Sequence, residues 1–127
     1  MDVLLYETQP AQTVNIGDVV YGMPHLNSCC LILVATASGM TAQHWPGTDP
    51  GTLDPALFSA APTEIMMVTG SETPYLLLQA QTLQQQYPAA AFSYFAYNNA
   101  AQYPMPVVDI TAAGFQLQGP RFYRRVI

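Results

Sequence analysis

Lysine is absent from the sequence, and its only bases are Arg121, Arg124 and Arg125, all within the last seven residues. Eight acids against three bases leave a formal net charge of −5. So sparse a cationic surface cannot displace counterions from a polyphosphate, which argues against a nucleic-acid binder. Charged residues are only 9% of the chain, too few for a charged disordered tail or a Glu/Lys-rich coiled coil. No apolar run reaches the ~18–20 residues that cross a bilayer. The longest, residues 29–37, is strand-sized, so no membrane partner is expected. No glycine-rich phosphate loop is present, leaving an NTP or dinucleotide site without support. Met1-Asp2-Val3 carries no basic segment, so a secretory signal peptide is not expected. The expected location is the cytoplasm, or a target cell reached as an effector without such a signal. The only two cysteines, Cys29 and Cys30, are adjacent. They cannot staple distant parts of the chain, and they do not fix a redox compartment.

What remains is apolar: half of the 127 residues are hydrophobic. A chain of this length buries about two thirds of its unfolded surface, enough for a core without staples. One domain over residues 1–127 is expected. Strands are predicted at residues 3–8 and 17–21. Residues 30–36 form a near-continuous apolar run that reads as a central strand covered on both faces. Ser38-Gly39 is a turn. Beyond it Met40, Ala42 and His44 alternate with Thr41, Gln43 and Trp45, which predicts a hairpin. Asp54 and Pro55 can open a short helix carrying Leu57 and Ala60. A strand follows at residues 64–69. Thr73-Pro74 starts the longest helix, with Leu76, Ala80, Leu83 and Tyr87 inward and Pro88 ending it. A strand at residues 91–97, a hairpin at residues 107–118 and an edge strand at residues 122–126 complete the chain. The predicted fold class is mixed α/β (α+β): a layered β-sheet or β-sandwich core with two helices.

Chemistry concentrates early. His25, Cys29, Cys30 and His44 fall within twenty residues. A cysteine nucleophile needs a base to take its proton. On a hairpin returning through Ser38-Gly39, Cys29 and His44 come to the same edge, and alternation sends Cys30 to the other face. The turn at Leu26-Asn27-Ser28 can present N–H groups to an oxyanion. Each residue also has a plainer reading. Free cysteine is usually buried core, His25 reads as a loop residue, and His44 beside Trp45 can be a packed, satisfied histidine. Zinc is disfavoured, because adjacent cysteines do not match ligand spacing.

Leu26-Asn27-Ser28-Cys29 resembles the L-x-[SG]-C signature of the bacterial protein-glutamine deamidases. These include CheD and the catalytic domain of the cytotoxic necrotizing factors. Residues 39–46, Gly-Met-Thr-Ala-Gln-His-Trp-Pro, are similar to the histidine segment of CheD. The convincing match spans residues 26–47, and a looser one covers most of the rest. The resemblance implies a CheD/CNF-like domain in which Cys29 is the nucleophile and His44 the base. Asn27 and Ser28 would support the oxyanion. In CheD-like enzymes a threonine shortly before the cysteine orients the histidine. Here that stretch is Tyr21-Gly22-Met23-Pro24-His25, with no threonine. The necrotizing-factor branch is similar in using a backbone carbonyl, which here would be that of Tyr21 or Met23.

The function implied is deamidation of a glutamine on a partner protein, by a regulator or an effector toxin, with no metal or organic cofactor. Two other readings stand beside it. One is a non-catalytic interaction module, consistent with eight tyrosines, six methionines and little charge. The other is a different cysteine hydrolase or acyltransferase using the same dyad. Oligomeric state is not legible in the sequence.

Overall fold

The computed structural model describes residues 1–97, 104–119 and 122–127. Arg121 lies outside the described residues. Among the described residues, ten strands and one α-helix build three layers. The strands are β1 (Asp2–Leu5), β2 (Gln12–Val14), β3 (Val19–Gly22), β4 (Cys30–Thr36), β5 (Gly39–Trp45), β6 (Pro62–Thr69), β7 (Ala91–Ala96), β8 (Val107–Thr111), β9 (Gly114–Leu117) and β10 (Tyr123–Arg125); α1 is Pro74–Gln86. One sheet runs β1-β3-β8-β9, the other β10-β7-β6-β4-β5-β2.

The apolar run of β4 occupies the middle of the larger sheet, where neither face meets water. Leu31 and Leu33 pack with Met66 and Val68 against Leu5, Val20, Val108 and Ile110 of the smaller sheet. Ile32 and Val34 turn the other way, with Ile65 and Met67, onto Leu76, Ala80 and Leu83 of α1. Period-two alternation thus serves two cores from one strand. Burying each such leucine or isoleucine side chain contributes roughly 1.5–3 kcal/mol.

The main expectations hold as coarse architecture. The β4–β5 hairpin turns through Ala37-Ser38, one residue before the expected Ser38-Gly39, and Gly39 pairs with Thr36 at a φ of 140° that suits glycine. Helix α1 begins at Pro74, and the Thr73 hydroxyl accepts the Leu76 N–H at 3.1 Å. It links the parallel strands β6 and β7 as a crossover.

Two expectations need correction. The second helix is a single 3₁₀ turn, Pro55–Phe58, so the fold has one α-helix among the described residues. Asp54 does cap it, accepting the Ala56 N–H at 2.9 Å. The other carboxylate oxygen of Asp54, however, accepts the Ala11 N–H, and its own N–H donates to Gln43. The segment is therefore moulded to the sheet rather than wound as a helix. Strand β1 also ends at Leu5 rather than continuing to residue 8. The chain turns there, with the Gln9 N–H donating to the Tyr6 carbonyl at 3.1 Å, and β2 follows at the sheet edge. No helix among the described residues is long and apolar enough to cross a membrane.

Candidate active site

The hairpin register decides which side chains meet. Cys30 lies opposite Trp45, and Leu31 opposite His44. Leu31 faces the sandwich core, so His44 faces it too, as does Cys29, which packs against that core. Continuing that register one residue past the start of β4 makes Cys29 a diagonal neighbour of His44 on one face. Cys30 and Trp45 belong to the helix-side core. The predicted split between the two cysteines is what the strand alternation produces.

His44 is 2% exposed, and its ring reaches across the sandwich to β1. Its Nδ1 lies 3.2 Å from the Leu5 carbonyl oxygen. A carbonyl can only accept, so Nδ1 carries the hydrogen, and in the neutral ring Nε2 keeps its lone pair. That Nε2 is buried and has no hydrogen-bond partner among the described residues. A buried unsatisfied acceptor costs about 1–3 kcal/mol, and the buried Tyr75 and Tyr94 hydroxyls are left in the same state.

The orienting carbonyl is thus Leu5's, not that of Tyr21 or Met23. Strand β1 is the one facing β5 across the sandwich, and β3 lies one strand further along the smaller sheet. Met23 contributes its N–H instead, donating to the same Leu5 oxygen at 2.8 Å. Tyr21 points its hydroxyl to Asp2, 3.4 Å away.

The thiol stands on a loop pinned from several sides. The Leu26 N–H donates to the Pro104 carbonyl at 2.7 Å, and the Ser71 N–H to the Asn27 carbonyl at 2.6 Å. The Thr69 hydroxyl donates to the Cys29 carbonyl at 2.9 Å. A Cβ at Gly70 would overlap the Leu26 carbonyl, and one at Gly47 would sit 2.9 Å from the Ser28 carbonyl oxygen. Gly47 also has φ of 78°, a left-handed backbone that favours glycine. These two glycines let β6 and the segment after β5 close onto residues 26–29. Within that loop Asn27 is exposed and Ser28 half-buried, as is Cys29; His25 is exposed.

The electrostatics separate the two thiols as well. Burial pushes the Cys29 thiol up to about 11, reinforced by the negative charge of Glu7. Cys30, fully enclosed, is pushed up further, chiefly by burial. At neutral pH both are thiols, and only Cys29 has solvent beside it. Glu7 sits in the turn just after Leu5, the residue whose carbonyl holds the imidazole. Leu5 was not expected from the sequence; it acts 39 residues away from its partner, at a position that local pattern does not mark.

No three His, Cys, Asp or Glu residues among those described gather in a metal-binding set. Two surface cavities, of about 270 and 200 Å³, lie elsewhere: one beside Ser38 and Met40 near the hairpin turn, one beside Glu64 and Arg124. No protein-family model, no curated protein and no solved structure matches this chain.

Proposed function

We propose that this protein is a cysteine-dependent protein-glutamine deamidase. The observation that carries the reading is the state of His44. Its Nδ1–H is fixed on the Leu5 carbonyl, its Nε2 is left unpartnered, and it lies on the sheet face it shares with Cys29. In a purely structural role a buried Nε2 would ordinarily have a partner.

A thiol held near 11 is not a preformed thiolate. The nucleophile is made as it attacks: the sulfur bonds to the carboxamide carbon while its proton passes to His44 Nε2. Backbone N–H groups around Ser28 and Cys29, with the Asn27 amide at the rim, stabilise the oxyanion. The imidazolium returns the proton to the departing nitrogen, releasing ammonia and leaving a thioester. Water, deprotonated by Nε2, attacks that thioester. The carbon–sulfur bond breaks, Cys29 regains its proton and the product is glutamate. Water is the only co-reactant the balance requires. Exchanging a neutral glutamine for an anionic glutamate on a partner is a local charge switch, suited to a regulator or an effector.

The test is mass spectrometry of a cell extract incubated with the protein. Specific glutamines should convert to glutamate with the wild type and not with Cys29→Ser. Cross-linked glutamines would redirect the reading to an acyltransferase, and cut backbones to a peptidase. An unchanged extract, with Cys29 inert to alkylation in the folded protein, would leave an interaction module.

A further inference from the structure

The two sheets are unequal in width, and a cavity lies where the smaller one stops. At one side of the sandwich β1 faces β5, through the Leu5 carbonyl and the His44 ring. At the other side β9 faces β6, through the Phe115 N–H that donates to Glu64 Oε2 at 3.2 Å. Strands β7 and β10 continue the larger sheet past β9. Alternation puts Glu64, Met66, Ser93 and Phe95 on the sandwich side of β6 and β7, and the register sets Arg124 opposite Phe95. Together with Phe115 these side chains line a cavity of about 200 Å³. Glu64 pairs with Ala35, and Thr69 with Cys30. The cavity is therefore at the far end of the sheet from the thiols, roughly 16 Å away at ~3.3 Å per residue.

The lining carries one charge of each sign, and the fold neutralises neither. Arg124 is exposed. The ion pairs among the described residues, Met1 with Asp18 and Arg125 with Glu72, involve neither Arg124 nor Glu64. Glu64 gives Oε2 to Phe115, while Oε1 accepts no hydrogen bond among the described residues. Gly114 makes room for that carboxylate, since a Cβ there would stand 2.6 Å from Oε1. Such walls restrict the occupant. A simple anion is repelled by Glu64 and a simple cation by Arg124. A neutral molecule strips water from both charges and pairs with neither. A peptide terminus supplies only one of the two charges. The volume falls below the ~300–1,000 Å³ of drug-sized sites, too small for a nucleotide. Met66, Phe95 and Phe115 add an apolar wall for a hydrocarbon body. We propose that this cleft binds a free α-amino acid with an apolar side chain, its ammonium on Glu64 Oε1 and the Ser93 hydroxyl and its carboxylate on Arg124. The site is separate from Cys29 and His44, and the inference does not rest on the deamidase reading.

L-leucine and two truncated forms of it test this. Isopentylamine lacks the carboxylate, 4-methylpentanoate lacks the ammonium, and both keep the hydrocarbon body. Binding to the full chain is followed by amide chemical-shift titration, which also reports where the ligand sits. Leucine should bind at least ~10-fold more tightly than either truncated form, because each lost charge leaves its partner in the cleft unpaired. The shifts should centre on Glu64, Ser93 and Phe115. Glu64→Gln keeps an acceptor for the Phe115 N–H and should bring leucine down to the level of 4-methylpentanoate. Arg124→Gln, at an exposed position, should bring it down to the level of isopentylamine. If Glu64→Gln weakens all three ligands alike, the cleft itself has changed, and Arg124→Gln decides. Leucine that binds no better than its truncated forms, that ignores Arg124→Gln, or that shifts no amide around the cleft would overturn the proposal.

Discussion

Cys29 and Cys30 are joined by one peptide bond and live in different layers. Cys29 packs against the sandwich core, on the face where the His44 imidazole meets the Leu5 carbonyl, and it is partly exposed. Cys30 looks toward α1 among Ile32, Trp45, Leu76 and Tyr94, with no exposed surface. Identical chemistry thus receives opposite surroundings from strand alternation alone. A one-residue slip in the β4–β5 register would exchange them.

The comparison breaks most sharply by substitution. Ammonia release should fall by at least ~10³-fold in Cys29→Ser and in His44→Ala, because removing a nucleophile or its base disables the unit. Cys30→Ser should keep most activity and lose about 1–3 kcal/mol of stability, read by urea melts, since it puts a hydroxyl into an apolar layer. Activity that followed Cys30 instead would reverse the assignment.

Next in size is the loop that presents the sulfur. Gly70→Ala drives a methyl group into the Leu26 carbonyl, and the backbone there cannot yield cheaply. A loss of roughly 3 kcal/mol or more is expected in denaturant titrations. A near-neutral result would mean that residues 26–29 are not clamped by β6.

Titration then sharpens the contrast between the two sulfurs. Alkylation of Cys29 should climb about a hundredfold between pH 8 and 10, because its folded value near 11 lies above the ordinary 9.0. Cys30 should stay unmodified until the chain unfolds. The linkage sign follows. The folded protein holds the Cys29 proton more tightly than the unfolded chain does, so this group's contribution is complete below pH 9. It is lost as pH rises from 9 toward 11. A Cys29 rate already flat at pH 8 would contradict the environment described for it.

The smallest effect is expected at Thr69, whose hydroxyl donates to the Cys29 carbonyl at 2.9 Å and to that of Ser71 at 3.3 Å. Thr69→Val should cost about 1 kcal/mol. On the deamidase reading it should slow ammonia release more than it lowers Tm, since it loosens the proposed nucleophile.

Much of this arrangement is legible from residues 26–47. The apolar run of β4, the turn at Ser38-Gly39 and the alternation of β5 are local signals, and together they place Cys29 and His44 on one face. The Thr73-Pro74 start of α1 is equally local. Strand β2 escaped because Gln12, Thr13 and Val14 are three residues at an edge, too short for a period to show. The group that steers His44 escaped for a different reason: Leu5 is 39 residues away, and its role depends on a carbonyl, which has no side-chain signature.

The Leu5 oxygen holds two donors, Met23 N–H and His44 Nδ1–H, yet it belongs to an outermost ribbon of four residues whose only fully buried side chain is its own. Outermost ribbons fray first on warming. The ring would lose its aim while both cores were still intact, so turnover should fade at temperatures where circular dichroism still reports a folded protein.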